Sequence, residues 1–245
     1  LWQGKATDDS VLLQCFSADG EGGYPGNMQV CVRYRLTDED ALVIEYTAES
    51  DADTVCNLTN HAYFNMAGVG KGMHDVLSQK VQIFSDSFTP ADAQSLPDGR
   101  ILPVDSTPMD LREPTAIGAH IEDDYDQLNM AGGYDHNWVL SGKAPSLAEQ
   151  ASFPIEKMKK AACAASDETG LILTCYTTQP GLQFYTGNFL TGAKGKDGCF
   201  HPRYAFCFET QFFPNAFAHP NFPQPILRKG ERFHAKTVYA LTKEK

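Results

Sequence analysis

"MQVCVRYRL", residues 28–36, alternates from end to end. Val30, Val32 and Tyr34 fall on one side of an extended chain, and Gln29, Cys31, Arg33 and Arg35 on the other. A helix would scatter the same positions around its circumference. The segment reads as a strand with one face buried and one solvated, the pattern of an antiparallel sheet.

Similar runs recur outward from it. "VLLQCFSA" (11–18), "ALVIEYTAES" (41–50), "VQIFSD" (81–86), "HNWVLS" (136–141), "AACAAS" (161–166), "LILTCYTT" (171–178) and "RFHAKTVYAL" (232–241) are all short, with turn signals between them. "SDETG" (166–170) reads as the turn of a hairpin and "PDGR" (97–100) as a plain β-turn. Helix is scarce, with one short helical turn expected within "DLREPTAIGAHI" (110–121). Gly and Pro gather at "GEGGYPG" (20–26) and "FFPNAFAHPNFPQPIL" (212–227), which read as loops. The four prolines of the second impose an extended path over the surface. No repeat or linker divides the chain, so residues 1–245 are expected to form one all-β antiparallel sandwich domain.

Composition narrows the function. The 245 residues are 42% hydrophobic and 21% charged, with a formal net charge of −11. That balance argues against nucleic acid, whose binding rests on clustered Lys and Arg. No apolar run is long enough to span a membrane as a helix, and the opening "LWQGKATDDS" lacks the layout of a secretory leader. Cys15, Cys31, Cys56, Cys163, Cys175, Cys199 and Cys207 are odd in number and show no CxxC spacing. Neither a disulfide framework nor a zinc site is signalled, and a reducing, cytoplasmic setting fits. "NLT" at 57–59 matches a glycosylation acceptor, a pattern that carries weight only with secretion. The chain starts at Leu1, in a stretch that reads as the approach to a strand, and is expected to be a fragment.

Three polar groupings stand out. In "YAFCFETQFFPNAF" (204–217) five phenylalanines surround Glu209. The two-residue period places Cys207, Glu209 and Gln211 opposite Phe206, Phe208 and Thr210, so Glu209 either lines an aromatic-rimmed cleft that raises its pKa or sits exposed on an edge strand. In "NLTNHAYFN" (57–65) Asn57, Thr59, His61, Tyr63 and Asn65 form one polar stripe if the segment is extended; a loop with a satisfied histidine explains it as well. In "TTQPGLQFYTGNF" (177–189) Gln183 and Tyr185 project together after Pro180-Gly181, and "GGYDHNW" (132–138) adds Asp135, either as a hydroxyl acceptor or as a turn stabiliser. Amides, phenols and a carboxylate suit a polyhydroxylated ligand, a sugar above all.

Four long segments, "NLTNHAYFNMAG", "GGYDHNWVL", "TTQPGLQFYTGNFL" and "CFETQFFPNAFAHPNFPQPILRKGE", resemble the aldose 1-epimerase (galactose mutarotase) family in order and spacing. Weaker likeness at "DGEGGYPG", "PVDSTPMDLR" and "HAKTVYAL" extends the resemblance over nearly the whole chain. It implies a galactose mutarotase-like β-sandwich with a sugar cleft on a concave sheet face. It further implies Glu209 as general base, His61 as general acid, Asp135 and Gln183 as holders of sugar hydroxyls, a hexose such as galactose or glucose as substrate, and no metal or other cofactor.

Relatives carry a further N-terminal segment with more strands, a second histidine and a sugar-contacting arginine. His120, His201, His219 and His234 lie in unmatched contexts and do not replace that histidine. Weak or absent activity is therefore expected for these 245 residues alone, and full activity for a longer gene product that contains them. Two other readings stay open. A glycoside hydrolase would pair Glu209 with Asp135 at about 5–9.5 Å, and a sugar-binding module would need no turnover. A hexose-phosphate epimerase would need a cationic pocket, for which the matched segments offer only Arg228 and Lys229.

Overall fold

In the computed structural model of the chain, which describes residues 1–70, 72–140, 158–195 and 198–243, Met28–Leu36 is a strand with Val30 and Val32 buried and Gln29 and Arg33 exposed. It lies in a nine-stranded antiparallel sheet. In spatial order the strands are Gln3–Ala6, Ser10–Ser17, Met28–Leu36, Ala41–Ser50, Arg232–Lys243, Leu171–Thr177, Lys159–Ala165, Lys80–Ile83 and Thr115–Ala116. A six-stranded antiparallel sheet is ordered Tyr63–Phe64, Phe206–Gln211, Gly181–Tyr185, Asp135–Val139, Ser87–Thr89 and Leu102–Pro103. The all-β sandwich expected from alternation is the observed architecture.

The inner faces of the two sheets share one core. Val32, Tyr46 and Ala235 form a register row across the large sheet, and Phe88, Trp138, Leu182, Phe184, Phe206 and Phe208 meet them from the small one. All six of those small-sheet side chains are fully buried. Aromatic pairs such as Phe184–Phe208, with ring centroids 5.7 Å apart, add oriented contact to area burial. Tyr239 on the large sheet donates its hydroxyl to the Phe208 carbonyl at 2.5 Å, tying the two layers directly behind Glu209. On the outer face of the large sheet, Glu45 lies 3.9 Å from Arg33 and 3.3 Å from Lys236, an ionic row across three strands.

Several local readings are corrected. "VQIFSD" is not one strand: Lys80–Ile83 belongs to the large sheet and Ser87–Thr89 to the small one. Ser85 makes the corner between them, its hydroxyl 2.7 Å from the Ser87 carbonyl and 2.5 Å from that of Val139. "PDGR" is closed by a side chain, with the Arg100 amide donating to Asp98 Oδ1 at 3.0 Å. The Pro-rich stretch does not merely cross the surface. Phe213, Ala216 and Phe222 form a buried cluster, and Ile226–Leu227 pairs with Thr54–Val55. A six-residue helix, Asp126–Ala131, was absent from the sequence reading and ends at Gly132 in the left-handed conformation (φ 64°). The hairpin at "SDETG" and the 3-10 turn at Ile117–Ala119 match their expectations. The last residue of "HNWVLS", Ser141, lies outside the described residues.

Candidate active site

Register assembles the site. Across the six-stranded sheet, Glu209 faces Gln183, Gln183 faces Asn137, and Asn137 faces Thr89. One step along, Tyr63, Cys207, Tyr185 and Asp135 make a second row. The two-residue period puts both rows on the face opposite the phenylalanine core. Five strands thus build a polar floor on the outer side of the small sheet.

Each side chain is fixed by its element. Gly133 (φ 135°) leaves room for the Arg203 guanidinium, which donates to Asn188 and to the Gly132 carbonyl and so anchors the chain entering Asp135. Gly181 opens the next strand because a Cβ there would stand 2.3 Å from Asn137 Oδ1. The segment before Tyr63 is held without sheet pairing. Asn57 exchanges two hydrogen bonds with the Phe212 backbone, at 2.9 and 3.1 Å, and Asn60 donates to the Tyr46 hydroxyl at 3.0 Å.

Of the two readings of 57–65, the extended stripe does not form and the loop does, since only Tyr63–Phe64 is strand. Asn65 turns instead to the Tyr204 and His74 carbonyls, both at 3.0 Å, and with Asn57 it satisfies loop backbone rather than facing a ligand. His61 does reach the floor. Its Nε2 lies 3.5 Å from Glu209 Oε1, its Nδ1 lies 3.4 Å from Cys207 Sγ, and half of its side chain is exposed.

Glu209 is not the exposed edge-strand residue of the alternative reading. It is 8% exposed and lies on the strand second from the sheet edge. Burial, and secondarily the charge of Asp135, pushes its carboxyl up to about 8. Asp135 is raised as well by burial, against a hydrogen bond from Gln183 Nε2 to its Oδ1 at 2.7 Å. Next to it, His136 turns the other way into the core, where burial lowers its pKa to about 4. Gln183 Oε1 and Asn137 Oδ1 are buried acceptors with no partner among the described residues. Such groups are costly unless a donor reaches them, and hydroxyls are donors.

The structure therefore brings His61 together with Glu209, and Gln183 with Asp135, on one sheet face. Tyr63, Cys207 and Asn137 complete the floor without having been singled out as site residues; the odd-position faces of their strands carried that information. His61, Cys207 and Glu209 each place a donor atom within 4.8 Å of the others, close enough to be weighed as metal ligands. The ring lies between thiol and carboxylate, with Nδ1 towards Cys207 and Nε2 towards Glu209.

Among the described residues no helix is long and apolar enough to cross a membrane, and all seven cysteines are free. The profile of the family described as aldose 1-epimerase matches residues 1–240. A galactose mutarotase from Sus scrofa is 38% identical over 99% of this chain, and an aldose 1-epimerase from Escherichia coli 35% over 97%. The chain spans 66% and 65% of those two relatives. The crystal structure of a galactose 1-epimerase from Lactobacillus acidophilus covers the whole chain at TM-score 0.80 and 27% identity, with 66% of that protein matched. An aldose epimerase homologue from C. elegans shares the fold at TM-score 0.83 and 24% identity, with 69% of its length matched. By profile, sequence and fold alike, the chain belongs to the aldose 1-epimerase family.

Proposed function

We propose that this chain carries the acid–base centre of an aldose 1-epimerase, interconverting the α and β anomers of a hexose such as galactose or glucose. The observation that carries the reading is the 3.5 Å approach of His61 Nε2 to Glu209 Oε1, over a floor of hydroxyl-binding groups. Ring opening needs two proton movements. Ionised Glu209 takes the proton of the anomeric hydroxyl, O1 becomes a carbonyl as the C1–O5 bond breaks, and protonated His61 delivers a proton to O5. Rotation about C1–C2 and the reverse transfers close the ring on the other face of C1.

Burial raises the Glu209 carboxyl to about 8, which makes its ionised form a stronger base towards the anomeric hydroxyl than an ordinary carboxylate. Each positioned group contributes on the order of 10²–10⁴ in rate when its pKa lies near working pH. Both protons are accounted for by the two side chains, so the scheme calls on no cofactor. Asp135 and Gln183 orient the sugar through its other hydroxyls, Asp135 as acceptor and Gln183 as donor and acceptor.

The binding-module reading keeps Asp135 and Gln183 but gives no reason for an imidazole against a carboxylate with a raised pKa. Seven unpaired thiols support a reducing interior as the setting of this activity. The test is polarimetry on freshly dissolved α-galactose and α-glucose. Acceleration of mutarotation by the longer gene product that contains these residues, lost in its Glu209→Gln variant with sugar binding retained, is the expected result. Equal rates for the two proteins would overturn the reading.

A further inference from the structure

His61 sits on the segment 57–62, outside both sheets, and its ring is half exposed. An imidazole so placed can turn over about Cβ–Cγ, which exchanges Nδ1 with a ring carbon and Nε2 with the other. The turned ring occupies the same slot but offers carbon where a proton is to be given. Tyr63 and Tyr185 flank it, with centroids at 4.9 and 5.9 Å, and they bound its plane without distinguishing the two orientations.

Cys207 does distinguish them. Its Sγ is 3.4 Å from Nδ1, the only hydrogen-bond partner of that nitrogen among the described residues, while Nε2 faces Glu209. In the turned orientation both contacts would be to carbon. We infer, building on the acid–base reading above, that Cys207 is a positioning residue: its sulfur accepts the Nδ1 proton of His61, fixing the ring so that Nε2 is the nitrogen that gives a proton to the sugar ring oxygen.

The direction of that hydrogen bond follows from the chemistry. When His61 is the acid, both ring nitrogens carry protons, so sulfur can only accept. Once Nε2–H has broken and O5–H has formed, the neutral ring is left as the Nδ1–H tautomer with the same sulfur contact. Cys207 gains and loses no proton. It is fully buried, and burial holds its thiol far above the ordinary range, so it does not compete with Glu209 as a base. Cys207 and Glu209 are two residues apart on one strand and share a face. One strand therefore supplies the base and aims the acid.

The test reads the ring directly. Protein labelled with ¹⁵N-histidine is studied by long-range ¹⁵N–¹H NMR, with the His61 signals assigned by their loss in His61→Gln. Neutral His61 is expected as the Nδ1–H tautomer in the unmodified chain, as a mixture in Cys207→Ala, and again as Nδ1–H in Cys207→Ser. Where Cys207→Ala does not fold, Cys207→Val fills the volume without a polar atom and takes its place.

In polarimetry the apolar variant lowers kcat about tenfold, part of what a well-placed acid contributes, with KM little changed, and Cys207→Ser restores most of it. The pH profile moves too. The other groups facing His61, namely Glu209, Asp135, Tyr63 and Tyr185, are the same in every variant, so that movement reports Cys207. An apolar variant with the unmodified tautomer, kcat and pH profile would overturn the inference. Absence of mutarotation in the longer gene product that contains these residues would count against the acid–base reading, whereas the NMR result judges Cys207 in either case.

Discussion

The two faces of the six-stranded sheet are made by the same residues' neighbours and behave oppositely. Inward, Phe206, Phe208, Leu182, Phe184 and Trp138 lose all exposure and interlock with the large sheet. Outward, one position along each strand, stand Cys207, Glu209, Gln183, Asp135 and Asn137. There two carboxyls are raised by burial, and two amide oxygens are buried without partners. The inner face holds the strands in register through packing. The outer face uses that register to hold groups that would not choose each other's company. A functional surface of this kind lowers stability, and the aromatic layer beneath offsets it.

Substitutions on the two faces should therefore differ in sign. Trp138→Ala, removing a fully buried indole whose Nε1 donates to the Met109 carbonyl at 3.2 Å, should cost about 3–5 kcal/mol in urea unfolding. A loss under 1 kcal/mol would mean that the inner face does not carry the fold. Glu209→Gln should do the reverse and stabilise. Because Glu209 binds its proton more tightly folded than unfolded, stability falls as pH rises from the ordinary carboxylate range to about 8 and levels off beyond it. The amide removes that fall. The gain should be absent near pH 4, grow through neutrality and reach on the order of a few kcal/mol above pH 8. A gain independent of pH, read by thermal unfolding at several pH values, would point to packing instead. Gly181→Ala probes the seam between the faces. Its methyl meets Asn137 Oδ1 at 2.3 Å and the Phe213 ring at 2.9 Å, so overpacking of about 1–3 kcal/mol is expected, together with weaker sugar binding as the floor shifts. Unchanged stability would show that the floor yields freely.

How far the sequence led can be judged residue by residue. Alternation in 28–36, 41–50 and 171–178 was sufficient for the sheet class, because a period of two has one structural reading. The face shared by Cys207 and Glu209, and that shared by Gln183 and Tyr185, were legible for the same reason. Strand order was not, since pairing of Phe206–Gln211 with Gly181–Tyr185 and of Asp135–Val139 with both neighbours depends on long-range register. "VQIFSD" hid a change of sheet because Ser85 satisfies the corner through side-chain hydrogen bonds that leave no periodic trace. Asn57 and Asn65 of "NLTNHAYFN" read as members of one stripe if the segment is extended, but side-chain amides that complete loop backbone are indistinguishable in sequence from amides that await a ligand. His61 was nameable from the family resemblance alone. Its contact with Cys207 was visible only in three dimensions.

The central claim is that His61 and Glu209 act as one unit on one hemiacetal. A double-mutant cycle on mutarotation tests it most directly, with His61→Gln, Glu209→Gln and the pair, each in the longer gene product that contains these residues, compared by polarimetry against the unmodified protein. Groups that work together are strongly non-additive, so the double variant should be no slower than the slower single one, each having lost about 10²-fold or more. Independent, multiplying losses, or a single variant at the unmodified rate, would contradict the account.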